Sequence, residues 1–513
     1  MADIYDISVY PHEVDDPSVL ERELVKRGKK SGDPFHVVKE SIDARKRQVV
    51  IRLRCAIGEN PPAVREPVAK NVKNASEVFV IGSGPCGLFA AIRLIERGLK
   101  PIIIERGKDV RTRRRDLAKL NKEQIVNPDS NYCFGEGGAG TYSDGKLYTR
   151  SKKRGSVNEI LNFLVAFGAS PDILVKAHPH IGTNKLPLLI TKIREFIESY
   201  GGELRFETKL TDLKIADGAL RSICLNGDEW VDCDRMILAT GHSARDIFEL
   251  LHRRNVLIES KPFALGVRIE HPQIIIDQAQ YKCQDRGEYL PPAAYSLTHQ
   301  VDGLGVYSFC MCPGGIIAPC ATAPGEIVTN GWSPSKRNNP YANSGMVVSI
   351  TPEEYDPKGS KNPLLALEYQ KHVERSAWEA GGGGQIAPAQ RMMDFINKKV
   401  SVDLPKCSYQ PGLNSTELRE VLPATVHVRL AEALKTFGKK MRGYGTNEAV
   451  LVATESRTSS PVRIPRNEFM EHPQVKGLYP GGEGAGYAGG IVSAAIDGMN
   501  IAENIALKVN APS

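Results

Sequence analysis

Tryptophan is scarce in this chain, at 3 of 513 residues, and cysteine numbers only 10. So few thiols cannot staple a chain of this length, which excludes a disulfide scaffold and leaves reduced thiols in a cytoplasmic setting as the expectation. No run of about 20 apolar residues escapes interruption by charge or glycine, so no membrane-spanning helix is expected. The opening stretch MADIYDISVY carries acids where a secretory leader has a basic segment followed by an apolar one, and no leader is expected. A strong charge of one sign is also missing. The balance of 67 Lys and Arg against 60 Asp and Glu leaves +7, which tolerates an anionic ligand without announcing a nucleic-acid binder. What remains, 41% hydrophobic and 25% charged, is an ordinary globular composition with length for about two to four domains.

Three textures follow one another. Residues 1–70 read as a small α+β module: a strand at Ile4 to Val9, a charged helix at Pro17 to Lys29, and a half-buried strand in which Val49, Ile51, Leu53, Cys55 and Ile57 alternate with polar neighbours. A proline-rich linker from Glu59 to Pro67 ends it. Residues 75–261 form the first part of a nucleotide-binding domain, 262–445 an inserted β-rich substrate domain, and 446–513 the return to the first domain. Within the insertion, Val306 to Cys312 and Ile316 to Cys320 flank Pro313-Gly314-Gly315 and read as a hairpin.

The strongest signal is Gly82-Ser83-Gly84-Pro85-Cys86-Gly87, which lies between the apolar strand Val78 to Ile81 and a helix with Leu88, Ala91, Ile92 and Ile95 on one face. The first glycine makes the tight turn, the second lets backbone approach a pyrophosphate, and the third lets helix and strand pack closely. The helix start turns free N–H groups toward the phosphates. Glu105 ends the next strand, 18 residues after Gly87, where a carboxylate accepts the hydroxyls of a ribose. Arg106 beside it is expected to serve the phosphates. Two later glycine clusters differ. Gly135-Glu-Gly-Gly-Ala-Gly140 follows no apolar strand, and Gly484-Ala-Gly-Tyr-Ala-Gly489 has no βαβ partner downstream, so the chain holds one dinucleotide fold rather than two.

In the glutathione-reductase-like FAD-binding superfamily a late Gly-Asp or Gly-Glu motif reaches back to the ribityl chain, and this chain carries a motif that resembles it. Gly482-Glu483 precedes a long helix, so Glu483 is placed to accept a ribityl hydroxyl, and the helix start at Gly489, Gly490 and Ile491 to favour negative charge at the pyrimidine edge of a flavin. The strand end Ala239-Thr240-Gly241 is a third signature, and Leu210 joins the cofactor-binding set. Gly137, Gly138, Gly140 and Thr141 are expected to let the chain pass flat beside the ring. FAD is therefore the expected cofactor, with NADPH or NADH as a transient electron donor.

On these residues the chain resembles the uncharacterised bacterial FAD-dependent dehydrogenases. The matching blocks are EVFVIGSGPCGLFAAIRLIERG, FGEGGAGTYSDGKLYTR, HPHIGTNKLP, MILATGHSARD, YSFCMCPGG, APAQRMMDF and LYPGGEGAGYAGGIVSAAIDG, with KESIDARKRQVVIRL in the first module. The resemblance implies an α/β fold: a Rossmann-like three-layer FAD-binding domain carrying an inserted β-rich domain. It implies almost nothing about substrate. Against the wider superfamily, Glu483 stands where Asp is common and Cys86 where Ala is usual; a buried thiol there is expected to be inert.

Flavin chemistry requires few conspicuous side chains, because the ring itself accepts the hydride. Two candidates stand out. Lys146 follows the second glycine cluster and is expected near the ring. Cys310-Met-Cys312 puts two thiols on one face of a strand, and the turn after it presents Cys312 toward a cleft. The plain alternative is a pair of small buried hydrophobes. Metal is not expected, because only Cys320 adds a ligand nearby. His178 and His180 lead into Ile181-Gly182-Thr183, where a structural role is the usual reading and membership of a binding loop the alternative.

Two basic stretches, Lys100 to Arg115 at net +5 and Thr141 to Arg154 at net +4, suit an anionic small-molecule substrate, a nicotinamide phosphate or an RNA backbone, although solvated surface is the usual meaning of such runs. No aromatic stacking motif supports RNA. A flavoprotein that acts on RNA, and one whose FAD is structural, stand as the alternatives to an oxidoreductase. Oligomeric state is not legible.

Overall fold

The computed structural model describes residues 3–46, 48–149 and 155–510. Four of the bases expected to form the second basic stretch, Arg150, Lys152, Lys153 and Arg154, lie outside the described residues.

Five parallel strands form the centre of the nucleotide-binding half, in the order Leu478–Pro480, Met236–Leu238, Glu77–Ile81, Lys100–Ile104, Glu203–Arg205. Strand alternation divides their side chains between two cores. Val78, Val80, Ile103 and Ile237 face the helices Pro85–Glu96, Val157–Ala166, Leu186–Ser199 and Ile491–Val509. Phe79, Ile81, Ile102, Ile104 and Leu238 face the opposite way, onto a three-stranded antiparallel sheet (Leu210–Ala216, Ala219–Leu225, Glu229–Asp232) and the helix Arg245–Arg253. The α/β class and the three-layer arrangement are those expected. Apolar runs such as Glu77–Ile81 are the mark of a strand covered on both faces.

The β-rich half is built on a seven-stranded sheet in the order Thr298–Val301, Leu304–Cys312, Tyr341–Ile350, Phe263–Pro272, Val450–Glu455, Ala387–Arg391, Leu413–Ser415. Two expectations change here. Ile316–Pro319 pairs with Thr329–Trp332 and forms no hairpin with Leu304–Cys312, because the latter strand has both edges occupied by Thr298–Val301 and Tyr341–Ile350. The chain also crosses back later than residue 445, since Val450–Glu455 is buried throughout between two strands of this sheet.

The N-terminal strands Asp3–Val9, Val50–Ile57 and Phe35–Asp43 make a separate antiparallel sheet, covered by the helix Pro17–Val25. Asp16 caps that helix by accepting from Ser18 N, and Val19, Leu20 and Leu24 are buried under it. Its core is continuous with that of the seven-stranded sheet.

A buried ion network joins the two large halves. Arg245, opening the helix Arg245–Arg253, donates to Glu326 (2.6 Å), Gln370 (3.0 Å) and Glu374 (2.6 Å). Arg457 donates to Glu374 (2.9 Å), Glu326 (2.8 Å) and Thr322 (2.7 Å), and Ser456 Oγ donates to Glu374 at 2.5 Å. Burial pushes the Glu374 carboxyl up, but Arg245 and Arg457 more than reverse this and hold it at about 2. Two guanidiniums and two carboxylates balance, which is what lets such charges sit in the interior. Glu374→Ala leaves Arg245 and Arg457 with one carboxylate between them. It is expected to lower the free energy of unfolding by about 3–5 kcal/mol in a urea titration. A loss below about 1 kcal/mol, the range of exposed pairs, would show that the network does not hold the halves together.

Candidate functional site

An elongated cleft with about 1430 Å³ of empty space, part of it open to solvent, runs between the two halves. Gly82, Gly84, Pro85 and Cys86 line it from the first glycine turn, and Gly138 and Gly140 from the second. Glu105, Arg106 and Leu210, the strand end Ala239-Thr240-Gly241, and Gly482, Glu483, Gly489, Gly490 and Ile491 line it too. Lys146 lies on the same wall.

Five residues expected at the site stand behind its surface instead. Ser83 donates from its N–H (3.0 Å) and its hydroxyl (2.7 Å) to Glu105 Oε2. Gly87 is pressed on Gly82, whose carbonyl oxygen lies 1.9 Å from where a Cβ would stand. Gly137 lines a small apolar pocket under the cleft, and Thr141 is buried with its hydroxyl donating to Glu136 O at 2.7 Å. Cys312 is also buried, and it is Cys310 that lines the cleft. The reason is a bulge: register slips between Phe309 and Cys312, and Cys310 takes φ +45°, rare for a residue with a side chain.

Glu105 is tightly held. Besides Ser83 it accepts from Gly107 N (2.9 Å) and Gly135 N (3.0 Å), so four donors meet its four lone-pair sites. Arg106 is not free for phosphates: it donates to Asp246 at 2.6 and 2.9 Å and lies 4.4 Å over the Phe134 ring. Arg113, counted in the first basic stretch, is fully buried. It donates to the carbonyls of Asn131 (2.8 Å), Glu136 (2.9 Å) and Gly138 (3.0 Å), bracing the second glycine turn. No periodicity in the sequence separates such a brace from a surface base.

The Glu483 carboxyl differs from that of Glu105 in accepting no hydrogen bond from the described residues, and burial pushes it up to about 7; Cys310 adds to the rise and Lys261 opposes it. Burial lowers Lys146, but the Cys310 and Cys312 sulfurs, each 3.9 Å from its Nζ, and Asp144 at 3.8 Å raise it more, so it stays a cation. Lys146 Nζ also donates to Met311 O. His242 was not foreseen. It lines the cleft, burial takes it down to about 4, and its Nδ1 lies 3.0 Å from Ser243 Oγ, so it is a neutral imidazole. His180 is structural, with Nε2 against Ser335 O at 3.2 Å. Phe309, Asn330, Arg457 and Thr458 complete the wall from the β-rich half. They come from three separate segments, and nothing in their local sequence marks them.

A parallel sheet, a glycine turn leading into a helix, and a long cleft ending at a second helix define a dinucleotide-binding α/β protein. A Clostridium beijerinckii protein that bears the name "Uncharacterized protein" is 41% identical over 527 aligned positions, covering 97% of each chain, and this chain belongs to its family. Residues 262–458 match the family described as FAD-dependent protein, C-terminal domain-like, and residues 1–58 match a domain of unknown function. Among solved structures, glycine oxidase from Geobacillus kaustophilus is 11% identical, with 86% of this chain and 96% of that one covered and a TM-score of 0.36. A geranylgeranyl bacteriochlorophyll reductase-like protein from Thermoplasma acidophilum is 12% identical, with 85% and 80% covered and a TM-score of 0.35. Likenesses of that size decide no chemistry. Among the described residues no helix is long and apolar enough to cross a membrane, and no group of three or more His, Cys, Asp or Glu is placed to hold a metal ion.

A carboxyl raised on folding binds a proton that the unfolded chain has released. Its stabilising effect is therefore complete below about 4.5 and is lost as pH climbs through about 7. Ligand-free Glu483→Gln is thus expected to lose less stability than the parent protein between about pH 5 and pH 8, read from urea midpoints. Parallel curves for the two proteins would show that Glu483 titrates in its ordinary range.

Proposed function

We propose that the chain is an FAD-dependent oxidoreductase of the dehydrogenase type, acting on a small molecule in the cytoplasm. The observation that carries this is convergence on one cleft: the turn at Gly82–Gly84 and the loop Gly482–Glu483, separated by some 400 residues, face the same space. Three glycines there fit a ligand lying flat against backbone. A Cβ on Gly84, Gly489 or Gly490 would meet no protein atom within 4 Å, so that space is kept clear by the absence of side chains. Bound flavin supplies the two-electron chemistry, and the protein's task is orientation and electrostatics.

The residues divide that task. The start of the helix Pro85–Glu96, with Gly84 as its N-cap, offers N–H groups and partial positive charge to a pyrophosphate. Glu105 is placed for the adenosine ribose, and Ser83 Oγ is its one donor able to rotate away and make room. Glu483, whose carboxyl has no donor among the described residues, suits a ribityl hydroxyl. The helix Ile491–Val509 starts at the cleft and favours negative charge near its first turn by about 0.3–1 kcal/mol, more when dry. Lys146, Cys310 and neutral His242 are left to face the substrate. This argues against a purely structural cofactor, since a site that only stored FAD would need no such groups. An RNA-directed role is disfavoured because Arg113 is internal and Arg106 is paired, which removes two bases from the supposed patch.

Gly84→Val tests the cofactor reading. Gly84 sits at φ −71°, and a side chain there enters the cleft without meeting protein, so the variant is expected to fold as the flavin-free parent does and to purify colourless. Full flavin content would show that the pyrophosphate lies elsewhere. An anaerobic visible spectrum of the parent protein, before and after NADPH and then NADH, identifies the donor. Bleaching by either establishes nicotinamide as the electron source, and an unbleached yellow protein assigns that role to the organic substrate.

A further inference from the structure

The bulge at Cys310 puts two thiols beside two cations. Lys146 Nζ is 3.9 Å from each sulfur, and Arg268 Nη2 is 3.5 Å from Cys312 Sγ and 2.7 Å from Cys310 O. Arg268 is fully buried, held by Asn343 at 2.9 Å and Glu455 at 3.2 Å. Such a setting is unlike that of a structural cysteine, which sits among apolar groups. The two thiols are also unequal in access. Cys310 lines the cleft, whereas Cys312 is 0% exposed behind it, with its sulfur 3.3 Å from Cys310 O. The backbone pays for this placement with a positive φ at a residue that is not glycine, a strain found where a side chain must be aimed.

We propose that Cys310 and Cys312 are a thiol–disulfide exchange pair, with Cys310 as the attacking thiolate, Cys312 as the resolving thiol, and a disulfide as the substrate class. The Cys310 thiolate attacks one sulfur of the disulfide, whose S–S bond breaks; one half leaves as a thiolate and takes a proton from water. Cys312 then attacks Cys310 Sγ, the mixed bond breaks, and the proton of Cys312 passes to the second departing half. The substrate gains two electrons and two protons, and the protein pair becomes a disulfide. This goes beyond the flavin reading, which it needs only for the two electrons that return the pair to dithiol.

The surroundings favour this division of roles. The groups facing Cys310 are Cys312, Lys146, Asp144, Arg268, Glu455 and Glu483. Hydrogen bonding from the Cys312 thiol holds Cys310 well below the usual thiol range; burial opposes this, and Lys146 and Arg268 add to it. Cys312 is raised, first by that same hydrogen bond and then by burial, so it stays protonated while Cys310 attacks. The thiolate is the form that attacks a disulfide.

The test exposes purified holoprotein to oxidised glutathione without oxygen, quenches it in acid, and reads the state of each cysteine by alkylation and peptide mass. The parent protein is expected to yield a Cys310–Cys312 disulfide with no glutathione retained. Cys312→Ser is expected to retain one glutathione on Cys310. Lys146→Met is expected to alkylate at Cys310 about tenfold more slowly at neutral pH, the loss that follows if the thiol rises by about one pH unit. Parent protein that keeps Cys310 and Cys312 as separately alkylatable thiols overturns the proposal, and so does Cys312→Ser with no glutathione on Cys310. The visible spectrum of the same samples separates the two readings. A yellow protein that does not exchange sinks the pair and leaves the flavin; a colourless protein that exchanges does the reverse.

Discussion

The cleft depends on the buried network of Arg245, Arg457, Glu326 and Glu374. Each large half supplies one wall, and neither wall encloses a site alone. His242 and Ser243, on the cleft surface, lie just before Arg245 in the chain, and Thr458 follows Arg457 directly. The contacts that hold the halves together therefore also set the height of the cleft. Apolar packing across the same boundary would hold the halves together equally well, but it would not fix their register as paired guanidinium and carboxylate groups do. A charged network tolerates burial only in a narrow geometry, and that intolerance gives the two walls a single spacing.

The same device recurs at smaller scale around the site. Arg113 fixes the second glycine turn by donating to three carbonyls, and Arg268 fixes the bulge at Cys310. Both are fully buried. Neither touches open solvent, so both act as scaffolding for backbone that would otherwise be glycine-loose or strained. Glu105 does the corresponding work from the acidic side, accepting from Ser83, Gly107 and Gly135 and so tying both glycine turns to the strand end between them.

The sequence made much of the first half legible. Glu77–Ile81, the turn after it and Lys100–Ile104 form a local unit whose periodicity and spacing carry their meaning within 30 residues, and Gly482–Glu483 carries it by resemblance. The β-rich half was less readable for a physical reason. Its sheet pairs Phe263–Pro272 with Tyr341–Ile350 and Val450–Glu455, partners far apart in the chain, and strand pairing at that range leaves no local trace. The misread hairpin at Pro313–Gly315 shows the limit: a correct turn signal, joined to a strand whose edges were already occupied. An ideal strand gives Cys310 and Cys312 the same face, and the turn after them points to Cys312 as the one at the cleft. The bulge that re-aims Cys310 arises from pairing with Tyr341–Ile350, which residues 306–320 do not reveal. Arg113 falls within a basic stretch whose sequence suits an anion entrance or a solvated surface, because a buried brace and an exposed base look alike in one dimension.

The shared core of residues 3–57 and the seven-stranded sheet has a consequence for how the chain is made. The strands of residues 3–57 find their apolar cover in helices and strands that extend to Glu455, so the inner face of their sheet is sealed only once those segments have been made. The parallel sheet waits longer still, since its edge strand Leu478–Pro480 and the helix Ile491–Val509 come after Glu455 in the chain. Neither large half closes before Val450–Glu455 has been made. The nascent protein is thus a single late-folding unit, and a translational stall anywhere before residue 450 leaves both halves with open apolar faces for chaperones to hold.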